Sequence, residues 1–229
     1  MCRNCGLWSR RGFLGAAAAG VAWAAAAPAP AAGIGPEQAL ARLKAGNQKY
    51  LAGPQLCVAD VAKARAAVAG AQSPFATVLA CADSRAAPEL VFGGLGPGEL
   101  FVCRNAGNLV DTDVLGTIEY GAEHLHSPLI VVLGHQRCGA VAAACDVVAK
   151  DAKLPGSIGK MVAKIVPAAR AVQGRQGDFV ANAVRENARR NALAIRENSE
   201  IVAGLEKAGE LKIAYAVFDL DTGAVDILG

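Results

Sequence analysis

The chain has 229 residues, of which 53% are hydrophobic, so it is long and apolar enough for one domain with a sizeable core. Its formal net charge of +3 comes entirely from the first 31 residues, which contain three arginines and no acidic residue. The rest of the chain balances 20 basic residues against 20 acidic ones and has no basic patch with interleaved aromatic residues. This balance argues against nucleic acid as a partner.

The N-terminal segment has the order of a bacterial export signal. Arg10 and Arg11 form a pair, an alanine-rich apolar run follows as far as Ala27, and small residues come next. This order predicts a twin-arginine signal peptide over residues 1–31, with cleavage after Ala31, and therefore a periplasmic protein. The alternatives are a disordered tail and an uncleaved membrane anchor, although the apolar run is short for a span of about 20 residues. We expect a single mature domain over residues 32–229, with no stable membrane span after the signal is removed.

The seven cysteines do not have the spacing of a disulfide framework. Cys2 and Cys5 belong to the predicted signal peptide, and the remaining number is odd. Three of the others have no matching ligand partner in the sequence, and we expect them to be small buried side chains: Cys57, Cys103 and Cys145.

The predicted elements then alternate in chain order. An amphipathic helix is expected from Pro36 to Leu51, ended by Gly53, and a second helix over 58–68. Strands are predicted at 75–81, 100–103, 129–133 and 213–219, with a closing hairpin to 224–228. Further helices are predicted at 88–92, 114–125, 138–148, 157–172 and 179–205. The alternation predicts an α/β fold with a mostly parallel central sheet between helices, a C-terminal antiparallel edge strand and an N-terminal helical arm.

Two of the predicted strand ends carry side chains that bind metals. Cys81 ends one apolar run, His135 follows another, and Cys138 lies three residues further on. Ligands of open α/β sheets bind beyond the carboxyl ends of the strands, so we expect these three side chains to meet. Zinc prefers Cys and His ligands, and three protein ligands leave a fourth position for chemistry. The pattern predicts one catalytic Zn²⁺ per subunit.

Four ordered motifs resemble those of the β-class carbonic anhydrases, over a region that extends from about Pro36 to the C-terminus. They are Cys81-x-Asp-Ser-Arg85, Phe101-Val-x-Arg-Asn-Ala-Gly-Asn108, Gly116-x-Ile-Glu-Tyr-Gly121 and Gly134-His-x-x-Cys-Gly-Ala140. The resemblance implies a lyase that reversibly hydrates carbon dioxide to bicarbonate and a proton by attack of zinc-bound hydroxide. It also implies a homodimer or a higher homo-oligomer, in which N-terminal helices embrace the partner subunit. Packing of those helices on their own domain is the alternative.

The same resemblance assigns roles beside the metal ligands. Arg85 would hold Asp83, and Asp83 would accept a hydrogen bond from the zinc-bound hydroxide and orient it. In the alternative, closed form, Asp83 is the fourth zinc ligand and no position remains for water. Arg104 matches an arginine that, in an allosteric subgroup, joins a tryptophan to hold inhibitory bicarbonate. Val78 stands at that tryptophan's position here, so we expect the inhibitory site to be absent.

Four further residues match substrate-binding positions of the family. Gln72 matches a glutamine that hydrogen-bonds substrate or an anion, and Gly139 matches a position whose backbone N–H faces the bound anion at a helix start. Phe101 and Tyr120 match residues that line the apolar carbon dioxide pocket, partly from the neighbouring subunit. An ordinary loop residue at Gln72, plain core roles for the two aromatic residues and a turn glycine at Gly139 are the alternatives.

Other functions remain open at this point. The same fold and metal would serve hydrolysis of another small electrophile, such as carbon disulfide or carbonyl sulfide. A zinc-binding protein without catalysis is a second alternative, although such a protein would have no need of the Asp83–Arg85 pair. A thiol enzyme with Cys81 as its nucleophile is a third.

Overall fold

The computed structural model describes residues 33–53 and 61–229. The predicted signal peptide and Cys57 lie outside these residues. The elements, in chain order, are α1 (Pro36–Ala52), α2 (Val61–Val68), β1 (Ala76–Cys81), α3 (Pro88–Val91), β2 (Leu100–Asn105), α4 (Thr112–Glu123), β3 (Leu129–His135), α5 (Gly139–Lys150), α6 (Gly156–Ala163), α7 (Val166–Val172), α8 (Phe179–Asn198), α9 (Glu200–Lys207), β4 (Lys212–Phe218) and β5 (Val225–Ile227).

The five strands form one sheet in the order β2-β1-β3-β4-β5. The first four strands of this order are parallel, and β5 pairs with β4 in the antiparallel direction. The predicted α/β fold, with its antiparallel C-terminal edge, is therefore confirmed. Because β1 and β3 are neighbouring parallel strands, their carboxyl ends lie side by side, and these ends carry Cys81 and His135.

Apolar side chains cover both faces of the sheet, as a central parallel sheet requires. Along β3, Leu129, Val131 and Leu133 join a core cluster that includes residues of α1, whereas Ile130 and Val132 join a cluster with residues of α4 and α8. This alternation follows the two-residue period of a strand. It places helices on both faces of β3, and this packing fixes the strand that presents His135.

The N-terminal helix α1 packs on its own domain. Pro36 occupies its first turn, where a missing N–H costs nothing, and Gly53 caps its end. Leu40 and Leu43 are buried in the core cluster of the sheet face that α1 covers. The two expectations for this helix are contact with a partner subunit and packing on its own domain. The single chain shows packing on its own domain.

Two long predicted helices are each divided in two. The predicted helix over 157–172 was wrong as one element, because α6 ends at Ala163 and α7 begins at Val166 with Pro167 in its first turn. The predicted helix over 179–205 was wrong in the same way. Ser199 has extended backbone angles, and its Oγ accepts a hydrogen bond from the Val202 N–H at 3.1 Å, so it starts α9 as an N-cap. Within the described ranges, no helix combines the length and the hydropathy needed to cross a membrane.

Candidate metal centre

Three ligand side chains meet where β1 and β3 end. Cys81 is the last residue of β1, His135 is the last residue of β3, and Cys138 is the N-cap of α5. One ligand atom from each lies within 4.8 Å of the other two, and the two Sγ atoms are 3.9 Å apart. All three residues are buried, with Cys138 and His135 each only 1% exposed. The structure thus brings together the three side chains that the sequence pattern selected.

The imidazole of His135 is oriented for ligation. Its Nδ1 lies 3.0 Å from the carbonyl oxygen of Gln136, which only accepts hydrogen bonds, so Nδ1 carries the hydrogen and donates it. Nε2 therefore keeps its lone pair, yet it is buried and has no hydrogen-bond partner in the described part of the chain. A buried polar atom without a partner costs about 1–3 kcal/mol. Histidines that bind metals commonly donate their other ring N–H to a backbone carbonyl, so a metal ion is a suitable partner for this Nε2.

The two sulfur atoms share one environment but differ in acidity. The contact with Cys138 lowers the pKa of Cys81 against the opposing effect of burial, and the backbone N–H of Gly107 also donates to Cys81 Sγ, at 3.4 Å. The same contact with Cys81, together with burial, raises the pKa of Cys138. A second thiolate is thus unfavourable beside the first unless a cation separates them, which is what a divalent metal provides.

Gly107 is needed at this place for two reasons. Its φ is +84°, in the region that favours glycine, and an added Cβ would lie 2.7 Å from Cδ1 of Ile165. The side-chain amide of Asn187, on α8, donates to the Gly107 carbonyl at 2.8 Å. The turn after β2 is therefore held tightly enough to aim an N–H at Cys81.

An acidic residue and an arginine form a pair beside the three ligands. Nε of Arg85 donates to Oδ1 of Asp83 at 2.9 Å, Nη2 donates to Oδ2 at 2.7 Å, and the Arg85 backbone N–H donates to Oδ1 at 3.0 Å. These hydrogen bonds hold the pKa of Asp83 well below its usual range. Oδ2 of Asp83 is 3.8 Å from Nε2 of His135, so the carboxylate lies next to the ligand atoms.

The donor set fits zinc. Zinc–sulfur bonds of about 2.3 Å in a tetrahedral site separate two sulfur atoms by roughly 3.8 Å, close to the distance between Cys81 and Cys138. Two thiols, one of them already acidic, and an imidazole with a free lone pair are the ligand types that zinc selects over calcium or magnesium. Within the described ranges, the three His, Cys or acidic residues whose ligand atoms lie close enough to share a metal are Cys81, His135 and Cys138.

The remaining cysteines of the described chain are not part of this group. Burial raises the pKa of Cys103 to about 11 and is also the main reason that the pKa of Cys145 rises to about 11. Both thiols are buried in the core, as the sequence predicted.

Three of the residues matched to substrate binding lie toward the ends of β1 and β2 that are remote from Cys81. Gln72 is exposed and precedes β1, whose start lies roughly 17 Å from Cys81 at about 3.3 Å per residue. Phe101 pairs with Thr77 near that same start, and its ring centroid is 6.1 Å from that of Tyr120. Their roles in substrate binding stay predictions. At this position, such roles require a second copy of the chain.

Gly139 lies close to the site in sequence and in space. It is the first residue of α5, directly after Cys138, and it is exposed; a Cβ at this position would have no atom within 4 Å. The anion-facing role of its backbone N–H at this helix start stays a prediction.

Supports on the far side of His135 were missed from the sequence. The guanidinium of Arg137 donates two hydrogen bonds of 2.7 Å to Asp221 in the turn between β4 and β5, and Oε1 of Gln136 accepts from the Leu220 N–H at 3.2 Å. These contacts tie the His135–Cys138 turn to the C-terminal hairpin. Gln136 and Arg137 lie within the Gly134–Ala140 motif, between two candidate ligands, and this was the sequence feature that could have indicated them. Their partners are more than 80 residues away in sequence.

Known proteins with the same sequence features are carbonic anhydrases. The family model described as carbonic anhydrase matches residues 76–225. Carbonic anhydrase 2 of Mycobacterium tuberculosis is 38% identical over 198 residues, which cover 82% of this chain and 90% of that protein. The carbonic anhydrase of Mycolicibacterium smegmatis is 36% identical over 196 residues, covering 84% of this chain and 93% of that protein.

Solved structures agree with this assignment. A Coccomyxa β-carbonic anhydrase in complex with acetazolamide has a TM-score of 0.65 and 29% identity, and the match covers 82% of this chain and 86% of that one. A β-carbonic anhydrase from Sordaria macrospora, at 24% identity, shares the fold with a TM-score of 0.64 over 84% of this chain and 96% of that one. The family match spans the three ligand residues and the Asp83–Arg85 pair. By its sequence, its fold and the residues at its strand ends, this chain belongs to the β class of the carbonic anhydrases.

Proposed function

We propose that this protein is a zinc-dependent lyase that reversibly hydrates carbon dioxide to bicarbonate and a proton. The observation that carries the proposal is the buried Cys81–His135–Cys138 group with the Asp83 carboxylate 3.8 Å from Nε2 of His135. Family membership supports the reaction, since relatives that cover most of this chain are carbonic anhydrases.

Cys81, His135 and Cys138 would hold the zinc ion. When bound, zinc supplies Lewis acidity that lowers the pKa of a coordinated water and so makes a nucleophile available near neutral pH. The protein contributes orientation and shielding. The imidazole of His135 is held by the Gln136 carbonyl, and the Gly107 N–H donates to the sulfur of Cys81, so both side chains are restrained at the site.

Asp83 would orient the attacking oxygen. Because its pKa is held low, the carboxylate only accepts hydrogen bonds at any physiological pH. It would accept the hydrogen of the nucleophile at Oδ2, so that the oxygen lone pair faces carbon dioxide. Arg85 keeps both carboxylate oxygens in place through two hydrogen bonds, which prevents the side chain from rotating away.

Stopped-flow carbon dioxide hydration by the zinc-loaded full-length protein tests the proposal, with Asp83→Asn as the matched variant. We expect fast hydration by the parent, and zinc retention with a loss of roughly 100-fold or more in activity for the variant. Stoichiometric zinc without hydration would refute carbon dioxide as the substrate, and assays with carbon disulfide and carbonyl sulfide would then follow. Acetazolamide, which a Coccomyxa relative binds, serves as an independent probe of the same site.

We also propose that a second copy of the chain completes the substrate pocket. Tyr120 is 49% exposed and stacks near Phe101 on β2, which is an edge strand of the sheet, so an aromatic surface is available to a partner. Gln72 is exposed near the same end of the sheet. Light scattering on the parent and on Tyr120→Arg tests this assembly: we expect a dimer or a multiple of it, and a shift toward monomer with reduced activity in the variant. A fully active monomer would rule the shared pocket out.

Export to the periplasm by the twin-arginine pathway is a further proposal, supported by the order of residues 1–31 in the sequence. Fractionation of cells that produce the parent or the Arg10→Lys, Arg11→Lys double variant tests it. We expect the parent in the periplasm, shortened at or near Ala31, and the double variant at full length in the cytoplasm. Equal distribution of the two proteins would contradict the proposal.

A further inference from the structure

An arginine of the neighbouring strand holds the loop that carries Cys81 and Asp83. Arg104 lies on β2 in register with Ala80 of β1. Its Nε donates to the Cys81 carbonyl at 2.8 Å, and its Nη2 donates to the Asp83 carbonyl at 2.5 Å. One guanidinium thus bridges the backbone from the metal ligand to the dyad carboxylate.

The loop has few other backbone restraints at this point. The Ala82 N–H donates to the Asn105 carbonyl at 3.0 Å as the chain leaves the sheet, and the Ala86 N–H donates to the Asp83 carbonyl at 3.1 Å. The side chain of Arg85, which holds the Asp83 carboxylate, is itself 53% exposed. Arg85 therefore restrains the carboxylate of Asp83, whereas Arg104 restrains its backbone.

The position of the Asp83 backbone decides where its carboxylate points. Oδ2 of Asp83 is 3.8 Å from Nε2 of His135, so a shift of the loop toward that nitrogen would bring a carboxylate oxygen in among the ligand atoms. A carboxylate at that place would be a good zinc ligand and would take the position that the reaction needs. A restraint on the loop thus separates an open site from a closed one.

We propose that Arg104 is a positioning residue that keeps Asp83 paired with Arg85 and away from the fourth position of the metal. The inference rests on the proposed zinc site. A lysine is a poor substitute because its single ammonium group does not span two carbonyls as the planar fork of arginine does. The role differs from the inhibitory bicarbonate site of the allosteric subgroup, which we expect to be absent here, because Nε and Nη2 of Arg104 already donate to the loop of their own chain.

Azide binding to the cobalt(II)-substituted full-length protein, followed by its visible spectrum, reports whether the fourth position is accessible. Arg104→Met and Arg104→Lys are expected to keep one cobalt per chain and to bind azide roughly 10–100-fold more weakly than the parent. Arg185→Met is the matched control, because Arg185 is also an exposed arginine with an ion pair, to Asp226 at 2.8 Å on β5. It should bind azide as the parent does. Unchanged azide affinity in both Arg104 variants would overturn the proposal.

The same titration in an Asp83→Asn background identifies the residue through which Arg104 acts. Asparagine is a weak zinc or cobalt ligand, so the loop no longer has a group that closes the site. We therefore expect Arg104→Met to leave azide affinity unchanged when Asp83 is already Asn. An equal loss of affinity in both backgrounds would show that Arg104 acts by another route and would overturn the proposal.

Carbon dioxide hydration by the zinc-loaded variants separates this inference from the proposed function. We expect kcat/KM for Arg104→Met to fall by roughly 10–100-fold, with Arg104→Lys recovering little of it. If the parent hydrates no carbon dioxide while the cobalt titrations behave as expected, the proposed reaction fails and the positioning role stands. If the parent is active and the titrations show no coupling, the positioning role fails alone.

Discussion

Asn47 connects three separate parts of the fold, and its replacement by alanine is a quantitative test of that connection. The residue lies on α1 and is 4% exposed. Its Nδ2 donates to the Val91 carbonyl at 3.0 Å and to the Gly223 carbonyl at 2.9 Å, and its Oδ1 accepts from the Val225 N–H at 3.0 Å. The side chain thus joins α1 to the end of α3 and to the β4–β5 hairpin.

The expected cost follows from these contacts. Each of the three hydrogen bonds contributes about 0.5–1.5 kcal/mol, so their loss in Asn47→Ala lowers the free energy of unfolding by about 3 kcal/mol. A protein of this size loses about 2–4 °C in Tm for each kcal/mol, which gives a fall of about 6–12 °C. Gln48→Ala is the control, because Gln48 is the next residue of α1 but is exposed, and we expect little change there.

Thermal unfolding of the zinc-loaded protein, at fixed protein and zinc concentrations, measures both variants under comparable conditions. A fall in Tm for Asn47→Ala no larger than that for Gln48→Ala would refute the reasoning. It would mean that water replaces the amide at all three partners and that the burial of Asn47 contributes nothing.

Three further outcomes are expected. Hydrogen bonds from Arg189 and Arg190 lower the pKa of the buried Glu186 against the effect of burial. The ionised Glu186 therefore stabilises the fold fully above the unfolded-state pKa of about 4.3, and this stabilisation is lost as pH falls below that value. The Tm difference between the parent and Glu186→Gln should accordingly be largest near neutral pH and shrink in acid; a difference that does not vary with pH would contradict this. Iodoacetamide at pH 8 should leave Cys103 and Cys145 unmodified in the folded protein and label both in urea, as read by peptide mass spectrometry, since burial raises both pKa values to about 11. Finally, removal of zinc by a chelator should lower Tm and abolish carbon dioxide hydration, and added zinc should restore both. Activity that survives chelation and is lost on alkylation would instead identify a thiol enzyme.

The sequence alone was sufficient for the type of fold and for the three side chains that form the candidate metal site. Apolar runs with strand periodicity, separated by helical segments, predict a parallel α/β sheet because periodicity is a local property of the chain. The rule that parallel strands end at one edge then places Cys81 and His135 together without any coordinates. Asp83 and Arg85 are two residues apart, so their pairing needs only a local turn.

Helix ends were less accessible to such reasoning. Ser199 interrupts a run that is otherwise continuously helical in its pattern, and its Oγ donates to Glu119 of α4 at 2.6 Å. A partner 80 residues away stabilises the cap, and nothing in the neighbouring residues indicates it. The break in the predicted helix over 179–205 was therefore decided by tertiary packing.

The order of the strands and the contacts across them were also decided by tertiary structure alone. Arg104 reaches the Cys81 and Asp83 carbonyls because β2 lies directly beside β1 in a register that pairs residue 104 with residue 80. Sequence spacing does not encode that register, since it results from packing on both faces of the sheet. The sequence by itself thus determined which three side chains meet as a candidate metal site. Only the folded chain determined which groups hold them in place, because those restraints are long-range contacts between elements that local patterns do not relate.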